Sequence, residues 1–355
     1  MRKKLRYRLR SVVRPREIAA KWQRDCEHLP LVDAHWPVYR ALHNYCDRAL
    51  CYYPDLVTCP DFGSKIQWLK LFDQNPLLVT CADKIKSRDF VAERIGRGYA
   101  PTLYATADRF EDIDLASLPN TFVAKANHDC GSSEIVNDKH TFDSLSVGRR
   151  LNAATRRVYG ADTGEWHYQH IKPKVLVEER LVTKSGGTPP DYKFHCVDGI
   201  IRFISITIDR DTNTKKFLVD GEGNKLQVVL NTNHPLTQEF ELSDCFQETC
   251  RLVTRVAQGF KYVRVDTYIL EDRIVFGELT FFPRSGAYRG EGQRALSRFL
   301  DFDRSTFAPP FAGRSAAAHD VAVNTATTDG PQQSCNSRGW DRSPDLDDRL
   351  NGAGP

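Results

Sequence analysis

Asp266 and Glu278 are the residues of this chain whose chemistry depends most on what lies between them. They sit in the stretch 262–288, YVRVDTYILEDRIVFGELTFFPRSGAY, which carries two runs rich in Val, Ile, Tyr, Phe and Thr, Val263–Leu270 and Ile274–Phe282. The charged Glu271-Asp272-Arg273 separates them, so the segment reads as a β-hairpin. With those three residues as the loop, Leu270 faces Ile274, Asp266 faces Glu278 and Arg264 faces Thr280. Side chains alternate along a strand, so all four share one face. Directly opposed Cβ atoms lie about 4.5–5.5 Å apart, where like charges destabilise. Two carboxylates held that close need a cation or a shared proton. A hard divalent ion such as Mg²⁺, bound by carboxylate and hydroxyl oxygens and by phosphates, meets that need. The competing reading is a solvated outer face tempered by Arg264. A two-residue loop would also send the carboxylates to opposite faces, so the hairpin alone leaves both readings open.

Three further stretches carry groups suited to phosphate or base recognition. The strand FVAKAN, 122–127, puts Val123, Lys125 and Asn127 on one face, and the small-residue loop His128-Asp129-Cys130-Gly131-Ser132-Ser133 follows. Backbone N–H groups of such a loop can cradle a phosphate, although the Walker A spacing is absent. A lysine inside an apolar strand is costly without a partner. That favours a phosphate over the plainer role of guarding a sheet edge. The run VLVEERL, 175–181, ends in Glu178-Glu179, which by itself reads as exposed strand-end charge. In DYKFHCV, 191–197, the polar Asp191, Lys193 and His195 share a face opposite Tyr192, Phe194 and Cys196. Asp198-Gly199 then signals a tight hairpin into Ile200–Ile208. A lone strand histidine such as His195 is more often a satisfied structural group than a general base.

The elements that must position these groups follow from periodicity and punctuation. Ile66, Leu69 and Phe72 predict a helix starting near Ser64 and closed by Pro76. A second helix opens at Asp83-Lys84 and runs through Arg88, Phe90, Val91 and Ile95 to Gly96. Pro101–Tyr104 is a strand candidate, Ser144–Tyr159 a helix with a solvated arginine face, and Phe217–Val229 a third hairpin. Gln247–Phe260 is an amphipathic helix feeding the 262–288 hairpin. Before Ser64, Trp36, Tyr39, Leu42, Tyr45, Tyr52 and Tyr53 suggest a small helical cap. The first residues, 1–24, are strongly basic. An amphipathic helix up to Pro15 could lie on an anionic membrane surface, against the plainer reading of a frayed terminus.

Composition bounds the class. With 355 residues, 41% hydrophobic, the chain can bury a large core and reads as a soluble globular protein of two or three subdomains. No apolar run approaches the ~20 residues of a membrane span. The net charge of +4 does not argue for nucleic acid. The 10 cysteines form no CxxC pair and no zinc spacing, so they read as reduced residues of a cytoplasmic protein. Past Gly313 the chain is small, polar and aperiodic, which reads as disorder. The expected division is a basic segment and cap over 1–63, the main folded domain over 64–312 and a tail over 313–355.

The order of these blocks resembles the ATP-grasp superfamily. More narrowly, DKIKSRDFV, LPNTFVAKANHDCGS, EWHYQHIKPKVLVEERL, DYKFHCVDG and FGELTFFPRSGAY are similar to the teichuronopeptide-biosynthesis (TupA-like) ATP-grasp family over roughly Ser64 to Tyr288. The resemblance implies an α+β fold in which two subdomains clamp ATP. Lys84 and Lys125 would contact its phosphates, with Asn127 beside them and His128, Gly131, Ser132 and Ser133 in the loop folding over. Glu178, Glu179 and the backbone at Arg180 and Leu181 would hold adenine. Lys193 would reach the phosphate tail, and Asp266, Glu278 and Thr280 would hold Mg²⁺, Thr280 standing where the superfamily usually has Asn. Arg264 would orient a carboxylate or acyl phosphate. The implied activity is ATP-dependent carboxylate–amine ligation through an acyl phosphate. The family name suggests a uronic-acid glycan and an amino acid or peptide as partners, with the enzyme cytoplasmic or peripheral to the inner membrane face. The rival classes are a phosphotransferase acting on a glycan hydroxyl and a non-catalytic nucleotide- or glycan-binding protein. Retention of Lys125, Lys193, Asp266 and Glu278 argues against the last.

Overall fold

The computed structural model describes residues 20–46, 53–209, 214–226, 228, 240–270, 273–288 and 292–306. The amphipathic reading up to Pro15 and the tail past Gly313 lie outside these residues, whereas the third hairpin is described except for 227 and 229, with Leu226 N bonding Leu218 O at 2.8 Å.

Helix α1 occupies 20–28 and α2 Trp36–Tyr45. Trp22 and Trp36 stack at 5.8 Å, Tyr39 meets Trp22 edge-on at 4.7 Å, and the Tyr39 hydroxyl donates to Asp25 Oδ2 at 2.7 Å. Tyr39 and Leu42 belong to the same apolar core as the larger sheet. Helix α3, Phe62–Phe72, begins two residues before Ser64 because the Asp61 carboxylate caps it, accepting from Ser64 N at 2.8 Å. Pro76 stops that periodicity and also starts a six-residue helix, α4, Leu77–Ala82, which the sequence reading lacked. Helix α5 is Lys86–Ile95, not opening at Asp83. Asp83 instead turns the chain, its Oδ1 accepting from Ile85 N at 2.9 Å, and Gly96, at φ 96°, ends the helix.

Strands β1, Leu103–Ala107, β2, Phe122–Ala126, β3, Glu134–Val136, and β4, Val175–Glu178, form an antiparallel sheet ordered β1-β4-β2-β3. The first starts later than Pro101, and the last ends at Glu178, not Leu181. Helix α6, Ser144–Thr155, shorter than the span to Tyr159, closes a small separate core with Phe122, Ala124, Val147, Leu151 and Val177.

The second sheet contains β5, Asp191–Val197, β6, Ile200–Ile208, β7, Lys215–Val219, β8, Tyr262–Ile269, and β9, Ile274–Thr280, ordered β7-β6-β5-β8-β9. Helix α7, Phe246–Val256, buries Leu252, Val253 and Val256 against it, and α8, Gly292–Ser297, follows β9. Each fully buried side chain of this size stabilises by roughly 1.5–3 kcal/mol. Val197 pairs with Ile200 across Asp198-Gly199, whose φ values of 49° and 77° are those of a type I′ turn. All seven residues of β5 are buried. Its polar face therefore looks into the molecule and not into water. Among the described residues no helix is long and apolar enough to cross a membrane.

Candidate nucleotide and metal site

The β8–β9 register reaches its expected endpoint by a different route. Ile269, not Leu270, faces Ile274, and Leu270 N bonds Arg273 O at 2.9 Å, so the connection is 270–273. A bulge between Phe276 and Glu278, with Gly277 as the extra residue, shifts the pairing back by one. Asp266 then faces Glu278, and Arg264 faces Thr280. A Cβ on Gly277 would lie 3.0 Å from Tyr268 Cε2 and 3.4 Å from Asp266 O, so glycine suits the bulge.

Pairing with β5 and β6 extends these residues into rows across the sheet. One row reads Ser205, Lys193, Asp266, Glu278, and its neighbour reads Phe203, His195, Arg264, Thr280. Lys193 Nζ donates to Asp266 Oδ2 at 2.8 Å and lies 3.0 Å from Asp191 Oδ2. Arg264, only 2% exposed, donates from Nε to Asp266 Oδ1 and from Nη2 to Oδ2, both at 2.7 Å. The same Nη2 reaches Thr280 Oγ1 at 3.2 Å and Glu278 Oε1 at 3.3 Å. The guanidinium is thus the cation lying between the opposed carboxylates. His195 takes the structural reading, bonding Tyr262 Oη at 2.8 Å and stacking on Phe203 at 4.0 Å.

Lys84 enters from the α4–α5 junction. Its backbone N bonds Asn127 O at 3.0 Å, its Nζ donates to Asp129 O at 2.6 Å, and that Nζ lies 3.9 Å from Glu278 Oε2. From the smaller sheet, Lys125 Nζ lies 2.5 Å from Glu178 Oε1, and Arg88 Nη1 donates to Glu178 Oε2 at 3.3 Å. Lys84, Ser87, Arg88 and Val91 of one wall face Phe276, Gly277, Glu278 and Leu279 of the other across a cleft that also touches Ala100. One part of this lining is cationic and another apolar. Arg88, Phe276 and Leu279 enter the sequence reading only as helix and strand residues, not as candidates for the cleft. Arg88 was detectable, one turn from Lys84; the two apolar residues look like ordinary hairpin core.

Other expected site residues fasten the walls. The Asn127 amide donates to Asp83 Oδ1 and Lys172 O, and its Oδ1 accepts from Lys174 N, at 2.9, 3.1 and 2.7 Å. His128 Nε2 contacts Arg157 O at 3.2 Å. Ser132 Oγ donates to Asp129 Oδ1 at 2.5 Å and accepts from Ala126 N at 3.0 Å, across Gly131 at φ 92°. Ser133 lies half-buried at the loop end, as do Arg180 and Leu181 beyond β4. Glu179 ties the lobes together. It accepts from Thr102 N at 2.9 Å and is gripped by Arg273 at 2.7 and 2.9 Å.

Protonation follows this wiring. Burial disfavours the Lys84 charge, but Glu278, Cys130, Asp129 and Glu178 together raise it above the ordinary lysine range. Burial pushes the Asp266 carboxyl up, against the pull of Arg264 and Lys193. Burial acts likewise on Glu278, yet Lys84, Arg264, Lys193 and Lys125 hold it below the usual carboxylate range. The Arg273 hydrogen bond keeps Glu179 low.

Among the described residues no group of three or more His, Cys, Asp and Glu is arranged for a metal. Asp266, Glu278 and Thr280 present two carboxylates and a hydroxyl, a hard oxygen set suited to Mg²⁺ that keeps other positions for phosphate and water. Glu278, its side chain 24% exposed, would be the accessible ligand; Asp266 would have to loosen from Arg264 or Lys193.

Comparison with known families finds a match to the model for TupA-like ATPgrasp over residues 64–299. Comparison with curated proteins finds no match. Among solved structures, the chain is similar to D-alanine–D-alanine ligase from Bacillus anthracis complexed with ATP, at 14% identity and TM-score 0.38, covering 62% of this chain and 61% of that one. D-alanine–D-alanine ligase from Helicobacter pylori matches at 12% and 0.34, over 62% and 57%. The ATP-grasp ligase PsnB, complexed with precursor peptide PsnA2 and AMPPNP, matches at 12% and 0.33, over 76% and 75%.

Proposed function

This chain belongs to the TupA-like ATP-grasp family, and from that premise we propose that it is an ATP- and Mg²⁺-dependent carboxylate–amine ligase. The carrying observation is the set of ion pairs that Lys84, Lys125, Lys193 and Arg264 make with Glu178, Asp266 and Glu278, with Lys84 and Glu278 lining the cleft. Four cations from both sheets and the α4–α5 junction can receive a triphosphate, which would replace the carboxylates as their partner. Val91, Phe276 and Leu279 would flank the base, and Glu178 with the backbone at Arg180 and Leu181 would read its edge.

The residues then divide the work. Lys84, Lys125 and Lys193 would bind and neutralise the phosphate tail, and the 128–133 loop would exclude water. Asp266, Glu278 and Thr280 would hold Mg²⁺, which supplies further charge neutralisation when bound. Arg264 would orient the acceptor carboxylate. A carboxylate oxygen attacks the γ-phosphorus, the bond to the β–γ bridging oxygen breaks, and ADP leaves. An amine nitrogen then attacks the acyl carbon of the acyl phosphate. The carbon–oxygen bond to phosphate breaks, phosphate departs, and the nitrogen loses its proton to give the amide. The finer reading is a cytoplasmic step of cell-surface polysaccharide synthesis, joining an amino acid or peptide to a uronic-acid glycan. The basic residues 1–24 would offer contact with an anionic membrane.

Mg-ATP should raise the melting temperature far more than ATP with EDTA, because a ligand specific for the native state stabilises it by mass action. A screen of uronic acids and amino acids should then give ADP release that requires both a carboxylate and an amine, with an amide in the mass spectrum. Equal melting shifts with and without metal would remove the Mg²⁺ site. Transfer of phosphate to a hydroxyl, with no amine requirement, would replace the ligase by a kinase.

A further inference from the structure

Beyond Thr280, the chain passes through buried Phe281 and Phe282 into Pro283–Gly286. There Arg284 and Ser285 take φ 51° and 50°, and Gly286 follows at φ 74°. Two successive non-glycine residues in the left-handed region are strained, and such conformations persist only where the surroundings impose them. Only glycine suits the third position on a second count. A Cβ there would lie 2.5 Å from Gln67 Nε2.

The constraint comes from α3. Lys70, fully buried, has three ammonium protons and three oxygen partners, Ser285 Oγ at 2.6 Å, Thr163 O at 2.7 Å and Ser285 O at 2.9 Å. Gln67 Nε2, one turn away, donates to the same Ser285 O at 2.8 Å. A buried lysine is expensive, and an apolar side chain would fill the space at lower cost. Its hydrogen bonds go to backbone and hydroxyl oxygens of two segments. One is the loop continuing β9 beyond Glu278 and Thr280. The other, through Thr163, precedes Tyr168, a ring buried in the same core.

We propose that Lys70, assisted by Gln67, is a positioning residue that locks the left-handed 283–286 loop and thereby fixes the end of β9 carrying Glu278 and Thr280. The inference rests on the nucleotide-site reading above, because it gives those two residues a ligand to be positioned for. A lysine with the same hydrogen bonds but a purely packing role would be replaceable by any change that preserves the fold.

The test uses the full chain with Mg-ATP as probe, comparing wild type with Lys70→Met, Gln67→Met and Lys70→Met combined with Ser285→Gly. Gln67 Oε1 is buried without a hydrogen bond, so the Gln67 variant should fold even if the Lys70 variant does not. Mg-ATP affinity by calorimetry should fall about tenfold in Lys70→Met and severalfold in Gln67→Met, with faster amide exchange over 281–288. Glycine at 285 accepts positive φ without a clamp, so the double variant should recover most of the affinity. Wild-type binding with folded variants that bind equally and exchange at the wild-type rate would overturn the proposal. So would a double variant no better than Lys70→Met. A wild-type protein that does not bind Mg-ATP would refute the nucleotide reading, while exchange over 281–288 would still decide whether Lys70 and Gln67 clamp the loop.

Discussion

Asp266 accepts hydrogen bonds from Arg264 on both oxygens and from Lys193 on one, which reverses what a bare pair of opposed carboxylates would do. Two unshielded acids would gain stability when one is neutralised. Here Asp266→Asn takes one anion from two buried cations that keep Asp191 and Glu278 as partners, and the protein without ligand should lose about 1.5–3 kcal/mol in urea unfolding. Unchanged or raised stability would mean that Arg264 and Lys193 do not depend on Asp266. Glu278 supplies a pH signature. Its native pKa lies below the ordinary value of 4.5, so its contribution is present above that pH and lost as pH falls through the depressed native value. Below pH 4.5 the wild type should therefore lose stability more steeply than Glu278→Gln. Parallel stability–pH curves would contradict the shift.

At the scale of elements, the informative device is the ion pair joining the end of β4 to the β8–β9 connection. Glu179 and Arg273 have side chains 21% and 40% exposed, so Glu179→Gln should cost at most about 1 kcal/mol of stability. Its larger effect should be a severalfold loss of Mg-ATP affinity in calorimetry, because the pair ties the sheet carrying Lys125 and Glu178 to the sheet carrying Asp266 and Glu278. An affinity equal to wild type would make it a surface contact only. The hairpin also marks what the sequence disclosed. Alternation placed Asp266, Glu278, Arg264 and Thr280 on one face, and Asp198-Gly199 located the separate β5–β6 turn, because both signals are local. The 270–273 connection and the Gly277 bulge were hidden, since one extra loop residue and one extra strand residue cancel. The same limit applies to Glu178. Alone it is a strand-end charge; only the pairing of β4 with β2, and the approach of α5, bring it to Lys125 and Arg88.

On the scale of the whole molecule, the described residues form two apolar cores of unequal size, one under the five-stranded sheet and its helices, the other under the four-stranded sheet and α6. Fewer buried contacts should let the smaller unit open more readily. Without ligand, amides of β2, β3 and α6 should exchange faster than those of β5 and β8, and Mg-ATP should slow the first group most. Equal exchange in both units would show a single cooperative block. The pairing of charges within the cleft also has a kinetic outcome. Lys84, Arg88, Lys125, Lys193 and Arg264 stand against Glu178, Asp191, Asp266 and Glu278, five positive groups against four negative. Opposed at such short range, these charges project little field into solvent. An incoming polyanion is then not drawn from a distance, and it gains its attraction only on contact, as each cation changes partner. Association of a fluorescent nucleotide in stopped flow should accordingly depend weakly on ionic strength, whereas a steered encounter slows steeply as salt is added. Selectivity for a triphosphate would then reside in how slowly it leaves.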